Sequence, residues 1–169
     1  VFGFNYRLNF MITDKHHERR SICVAELEYN PDGTIKELPW WDDGVAVEPV
    51  GTLNPYKRTE AETMAWSQGL KTAKDDKSGM YVTSIHNRDF LQVKAVDFGK
   101  GAKTFEVRAA TITKGKIEIR LDDLDGTLLG VCDISNTGGW NTWKTFVTDV
   151  EKVGGVHDLY LVFRGGDGE

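Results

Sequence analysis

The sequence predicts an all-β chain whose larger part is a β-sandwich of the jelly-roll kind, and three observations predict it. Short apolar-alternating runs recur at 79–85, 89–98, 104–110, 116–122, 127–134, 143–150 and 157–164. Turn signals such as Asp125-Gly126 and Gly154-Gly155 punctuate these runs. No stretch shows the apolar period of a convincing helix. Short strands at regular spacing with turn residues between them are the pattern of sandwiches and barrels.

In chain order, residues 1–13 read as an apolar and aromatic strand. Residues 19–29 and 34–38 read as a hairpin across Asn30-Pro31-Asp32-Gly33, which makes about one small sheet. The segment 39–56 carries three prolines and the adjacent Trp40 and Trp41 without clear periodicity, so it reads as a connector. The division expected is therefore 1–50 and 51–169, with the second pattern recognisable from near Lys57. Within that second part Phe105, Val107 and Ala109 alternate with polar neighbours, as do Ile117, Ile119 and Leu121. Such alternation marks strands with one face in a core.

A chain of 169 residues, 40% hydrophobic and 28% charged, suffices for one well-packed domain or one domain plus a fragment. A formal net charge of −5 argues against a nucleic-acid partner, and no basic run with interleaved aromatics reverses that. No segment approaches the roughly 20 apolar residues of a membrane-spanning helix. The opening Val1-Phe2-Gly3-Phe4 carries neither an initiator Met nor a signal-peptide pattern, so a piece of something longer is expected. Cys23 and Cys132, far apart and each within an apolar strand pattern, read as small buried hydrophobes and not as a redox pair or zinc ligands.

Two constellations carry candidate chemistry. Glu60 and Glu62 stand two apart in the stretch 57–63, read as extended, and a strand would turn both carboxylates to one face. Two adjacent carboxylates favour a cation between them, and Ca²⁺ suits an all-oxygen site that has no His or Cys nearby. A catalytic carboxylate pair is the second reading, since glycosidases use two such groups about 5–10 Å apart. The third is a pair of solvated glutamates on an edge strand. The other constellation is Gly138-Gly139-Trp140-Asn141-Thr142-Trp143. Two tryptophans three apart on an extended chain point to opposite sides, so one can be buried while the other is displayed. Trp143, leading into an alternating strand, is the core candidate. Trp140 is the candidate platform for the apolar face of a sugar ring, with Asn141 and Thr142 as hydrogen-bonding neighbours. Burial of both tryptophans is the alternative.

Other motifs fall short of a site. Asp122-Asp123-Leu124-Asp125-Gly126 suggests a calcium loop, but Leu121 and Cys132 occupy the first and last ligand positions, so a hairpin turn is expected. Residues 99–104 match no phosphate loop and read as a connection between strands. His16-His17-Glu18 lacks a third ligand, His86 and His157 are without sequence partners, and no nucleophilic triad can be assembled.

From about Arg58 to Glu169 the chain resembles a family 6 carbohydrate-binding module. The resemblance is carried by Thr59-Glu60-Ala61-Glu62, Gly79-Met80-Tyr81-Val82, Asp89-Phe90-Leu91-Gln92-Val93, the Gly138–Trp143 motif and the run Leu159-Tyr160-Leu161-Val162-Phe163-Arg164-Gly165. Residues Val1 to about Val50 resemble the last blade of a glycoside hydrolase family 43 propeller, through Phe4-Asn5-Tyr6, Glu18-Arg19-Arg20-Ser21-Ile22-Cys23 and Tyr29-Asn30-Pro31-Asp32-Gly33-Thr34-Ile35. The resemblance implies a xylan-directed arabinofuranosidase or xylosidase as parent, working outside the cell or in the periplasm. Its catalytic acids would lie on earlier blades, so no residue of this chain is assigned to catalysis. It also implies a structural Ca²⁺ at Glu60 and Glu62, and sugar stacking on Trp140. The family's final strand, which brings an Asp to the metal and an Asn to the sugar, is expected to be missing after Glu169. Many members sandwich the sugar with a Tyr shortly before the Asp-aromatic pair, where this chain has Ser84, with Tyr81 a few residues away, so the resemblance implies Tyr81 and Ser84 as carbohydrate-binding candidates beside Trp140 and Asn141.

Overall fold

The computed structural model of the chain describes residues 2–5, 21–24, 27–37 and 51–165. Contacts divide the chain into two compact units, Val1–Val50 and Gly51–Glu169. Among the described residues every regular element is a strand, as the patterning requires.

In the first unit, β1 (Phe2–Asn5) pairs antiparallel with β2 (Ser21–Val24), Phe2 opposite Val24 and Asn5 opposite Ser21. The expected turn at 30–33 forms. Gly33 takes φ +83°, its N–H donates to the Asn30 carbonyl at 2.9 Å, and the Thr34 N–H donates to Asp32 Oδ1 at 3.0 Å. Glycine serves there because a left-handed φ costs it nothing. Among the described residues the hairpin arms meet in an antiparallel bridge between Tyr29 and Ile35, while Ser21–Val24 pairs with β1. Residues 6–13 of the expected first strand, the His16-His17-Glu18 motif and most of the connector lie outside the described residues.

The second unit contains β3 (Trp66–Gln68), β4 (Lys71–Asp75), β5 (Gly79–Thr83), β6 (Phe90–Asp97), β7 (Thr104–Ala109), β8 (Gly115–Leu121), β9 (Leu128–Ile134), β10 (Lys144–Asp149) and β11 (Val156–Gly165). A five-stranded antiparallel sheet runs in the order β3-β6-β11-β8-β9, and β10-β7 and β4-β5 form two-stranded pairs. The core lies between layers. Ile117, Ile119 and Leu121 of β8, with Leu129, Cys132 and Ile134 of β9, are buried against Phe105, Val107 and Ala109 of β7 and Phe146 of β10. Both alternations read from the sequence are thus the inward faces of opposed strands. Cys132 is buried, as expected, and that burial pushes its thiol pKa up.

Three features depart from the sequence reading. β3 and β4 are strands where none was expected. The sandwich also starts before Lys57: Leu53 lies parallel to β6, its N–H donating to Ala95 O and its carbonyl accepting from Asp97 N, each at 2.9 Å. Finally, 57–63 is not extended. Thr63 N donates to Glu60 O at 2.9 Å, which closes a turn through Ala61 and Glu62.

One end of the sandwich is held by a polar staple. Asp158 interrupts the β11–β6 register between His157 and Leu159, and its carboxylate accepts from Ala95 N and Gln92 Nε2, both at 3.0 Å. His157 Nδ1 lies 2.9 Å from Asp122 Oδ2, and its Nε2 lies 3.2 Å from Gly154 O. The Asp122 carboxylate raises the imidazole pKa and is itself lowered by the imidazole. The acidic run at 122–126 is a hairpin turn, with Gly126 N donating to Asp123 O at 3.0 Å.

Candidate functional site

Strand register collects three loops at the opposite end. Phe90 opens β6 beside Val162 of β11, Gly165 closes β11 beside Gly115 of β8, and Gly115 lies beside Ile134, the last residue of β9. Lys144, opening β10, faces Ala109, closing β7. The loops 84–89, 110–114 and 135–143 therefore leave the sandwich on one side.

The loop 135–143 is shaped by hydrogen bonds. Gly138 takes φ +97°, and its N–H donates to Asn136 Oδ1 at 2.7 Å. Thr142 N donates to Gly139 O at 3.1 Å, which makes Trp140 and Asn141 the two central residues of a tight turn. A turn apex projects its side chains, and Trp140 is 63% exposed. Asn141 and Thr142 are exposed beside it.

Trp143 behaves as the sequence suggests, turning inward to half-burial. Its ring meets Tyr81 of β5 edge-on, with centroids 5.5 Å apart, and the Arg108 guanidinium of β7 lies 5.3 Å from its centroid. Tyr81 is thus engaged with Trp143 and is half-buried. Ser84 begins the loop 84–89 in a left-handed conformation, φ +56°. That loop is pinned by Asp89, whose Oδ2 accepts from His86 N at 2.8 Å, and by Arg88 N donating to Phe163 O at 2.8 Å.

The glutamates part company. Glu60 is exposed and forms a fork with Arg58, Nε to Oε1 at 3.0 Å and Nη2 to Oε2 at 3.1 Å. Glu62 is half-buried, and its Oε2 is a buried oxygen without a hydrogen-bond partner. Trp143 Nε1 is the other buried side-chain polar atom left unpartnered among the described residues. Also among the described residues, no three His, Cys, Asp or Glu side chains gather as a ready-made metal cluster.

An exposed indole on a hydrogen-bonded turn, flanked by amide and hydroxyl groups at the loop end of a jelly roll, is a surface for stacking a planar apolar face. Residues 60–169 match the family model described as carbohydrate binding module (family 6). The chain belongs to this family.

The module's solved relatives agree. The chain is 39% identical to a family 6 module from Clostridium cellulolyticum solved in complex with xylose, covering 69% of this chain and 91% of that one with a TM-score of 0.66. The likeness extends past the module. An arabinoxylan arabinofuranohydrolase of Paenibacillus polymyxa is 41% identical over 152 residues, which is 86% of this chain and 24% of that protein. A glycoside hydrolase family 43 arabinoxylan arabinofuranohydrolase from Bacillus subtilis, solved in complex with cellotetraose, superposes with a TM-score of 0.69 at 40% identity. It covers 89% of this chain and 32% of that one, so the chain spans about a third or less of these longer relatives. The combined resemblance read from the sequence, to a family 43 hydrolase and a family 6 module, is what these matches bear out.

The residues that tie the loops near the Trp140 turn and flank Trp143 carry no signal in the sequence. Thr137 and Thr111, which join two loops beneath the turn, sit in polar stretches with no sequence signal for burial. Arg108, against Trp143, reads as an outward residue of an alternating strand.

Proposed function

We propose that this family 6 module targets an attached glycoside hydrolase to xylan-type plant polysaccharide, with Trp140 as the stacking platform and Asn141 as a polar neighbour. The supporting observation is the 63% exposure of an indole at a turn apex, where burial is the ordinary fate of tryptophan. Tyr81, which braces Trp143, and Ser84, which opens the loop 84–89 at the same end of the sandwich, are the further candidates for the sugar. One stacked ring with a few hydrogen bonds gives millimolar to micromolar binding, about −4 to −8 kcal/mol. Weak tethering suffices, because it raises the effective concentration of a linked catalytic site. The choice of xylan follows the arabinoxylan named for the longer relatives and the xylose bound by the shorter one. Such a polymer lies outside cells, which places the work in the extracellular or periplasmic space.

A structural Ca²⁺ belongs to the same reading. The donor chemistry fits in one respect: Glu62 Oε2 is buried without a partner, a costly state that a hard cation would relieve. Glu60 would join by releasing Arg58, an exposed pair of small energetic worth. The metal's contribution is to fix the turn at 60–63 to the sandwich.

A second reading is favoured by the length of the relatives. The chain would be one part of an arabinofuranosidase or xylosidase whose catalytic carboxylates lie in another part. Isothermal titration with xylohexaose, with Ca²⁺ and then with chelator, tests the first reading. Saturable heat supports an autonomous module. Absence of heat in both conditions, with binding restored only on adding the catalytic portion, supports the second.

A further inference from the structure

We infer that Thr137 is a positioning residue, a buried hydroxyl that holds the Trp140 turn at the angle its ligand needs. Thr137 is 3% exposed, one of two buried polar residues among those described. Its hydroxyl is fully used. It accepts from Thr111 N at 2.9 Å, and its proton is directed at Thr111 O, 2.8 Å away, with Gly139 O at 3.1 Å as the second acceptor. The backbone adds a third tie between the loops, Thr137 N to Thr111 O at 2.9 Å.

Gly139 O is where this matters. It is the carbonyl that begins the Trp140 turn, accepting from Thr142 N at 3.1 Å, so the Thr137 hydroxyl touches the same atom that defines the turn. The other side of the clamp is stiff as well. Thr113 N donates to Thr111 Oγ1 at 3.1 Å, and Asn136 Nδ2 donates to Ile112 O. Trp140 itself is 63% exposed, so packing covers only the smaller part of its surface. Its orientation is set from below, through the turn backbone, by a hydroxyl that never meets ligand. Preorganising a binding loop lowers the ordering cost of association, so loosening the clamp weakens binding without touching the contact surface. This consequence for binding rests on the reading of Trp140 as the sugar platform; the consequence for Trp140 mobility does not.

The test compares Thr137→Val, which keeps shape and removes the hydroxyl, with Thr137→Ser, which keeps the hydroxyl. Two readouts are taken on the full chain: ¹⁵N relaxation of the indole N–H groups, with the Trp140 signal assigned by its loss in Trp140→Phe, and titration with xylohexaose. Thr137→Val is expected to lower the order of the Trp140 indole alone and to weaken Kd roughly tenfold, the scale of leaving buried hydrogen-bonding groups unsatisfied. Thr137→Ser is expected to restore both. An unchanged Trp140 order parameter in Thr137→Val overturns the inference whatever the titration gives. So does a Thr137→Val chain in which all five indole signals collapse together, because the hydroxyl would then hold the fold and not the platform. Loss of order with no xylohexaose binding in any protein, wild type included, sustains the positioning role and removes the reading of Trp140 as the platform of an autonomous xylan-binding module.

Discussion

Tyr81 and Trp143 meet edge to face, ring centroids 5.5 Å apart and planes inclined by 73°. The pair bridges β5 to the residue before β10, and the Arg108 guanidinium lies over the indole ring, 5.3 Å from its centroid. Edge-to-face aromatic contact adds about 0.5–1.5 kcal/mol beyond burial alone. Trp143→Ala should therefore cost about 2 kcal/mol, below the ~3–5 kcal/mol of a fully buried aromatic because this one is half-buried. Trp143→Phe should cost less than about 1 kcal/mol, since it also removes an indole N–H that has no partner. Urea unfolding followed by circular dichroism measures both. Equal losses in the two variants would mean that Nε1 has a partner in solution.

The glutamates predict an asymmetric response to metal. If Ca²⁺ binds at the 60–63 turn, the melting temperature rises with Ca²⁺, and a hundredfold excess over Kd contributes ~2.7 kcal/mol. Glu62→Gln should flatten that rise, because its Oε2 is the buried, unpartnered oxygen. Glu60→Gln should reduce it less, because Glu60 is exposed and already shared with Arg58. Scanning calorimetry with Ca²⁺ and with chelator gives the comparison. A wild-type melting temperature indifferent to Ca²⁺ would remove the metal from this fold.

His157 makes the stability of its end of the sandwich pH-dependent. Both ring nitrogens face acceptors, Asp122 Oδ2 and Gly154 O, and the folded imidazole pKa lies above its ordinary value of 6.5. A raised folded pKa means the contribution is fully present below the unfolded value and is lost as pH rises through the folded one. Asp122 runs the other way: its pKa is lowered, mainly by the His157 hydrogen bond, so its contribution fades only as pH falls through that lowered value. The staple is therefore strongest in mildly acidic solution. His157→Gln should destabilise more at about pH 5.5 than at about pH 8.5, as read by thermal melts across the ordinary histidine range. An equal cost at both pH values would show that His157 stays neutral in the fold.

Much of the sandwich was legible because its strands are half-buried. Phe105, Val107 and Ala109 must alternate with polar residues if one face of β7 meets the core, and they do. β4 escaped notice for the opposite reason: Lys71-Thr72-Ala73-Lys74-Asp75 pairs only with β5 and has no fully buried residue to impose a period. The turn at 60–63 reads as strand in the sequence because Glu-Ala-Glu-Thr contains neither glycine nor proline, and its one defining hydrogen bond is a backbone one. At the site, the sequence offered a displayed Trp140 and an inward Trp143 on the assumption of an extended chain, whereas the structure displays Trp140 at the apex of a turn closed by Thr142 N and Gly139 O. Thr137 was not legible, because its burial depends on partners 26 residues away in sequence.

Trp140 carries the decisive prediction. At 63% exposure it contributes little to the core, so Trp140→Ala should leave the melting temperature within about 1 °C of wild type, as surface substitutions do. Binding should suffer instead. A central aromatic anchor is worth about 2 kcal/mol or more when truncated, roughly thirtyfold in Kd. For a module already in the weak range this places the variant beyond detection by titration. Trp140→Tyr should retain part of the affinity, since a smaller ring still offers a π face. Wild-type affinity in Trp140→Ala would move the sugar site to another surface of the sandwich. A large fall in melting temperature would mean instead that the indole is covered in solution, which the wild-type minus Trp140→Ala difference spectrum would show as a blue-shifted emission unmoved by xylohexaose.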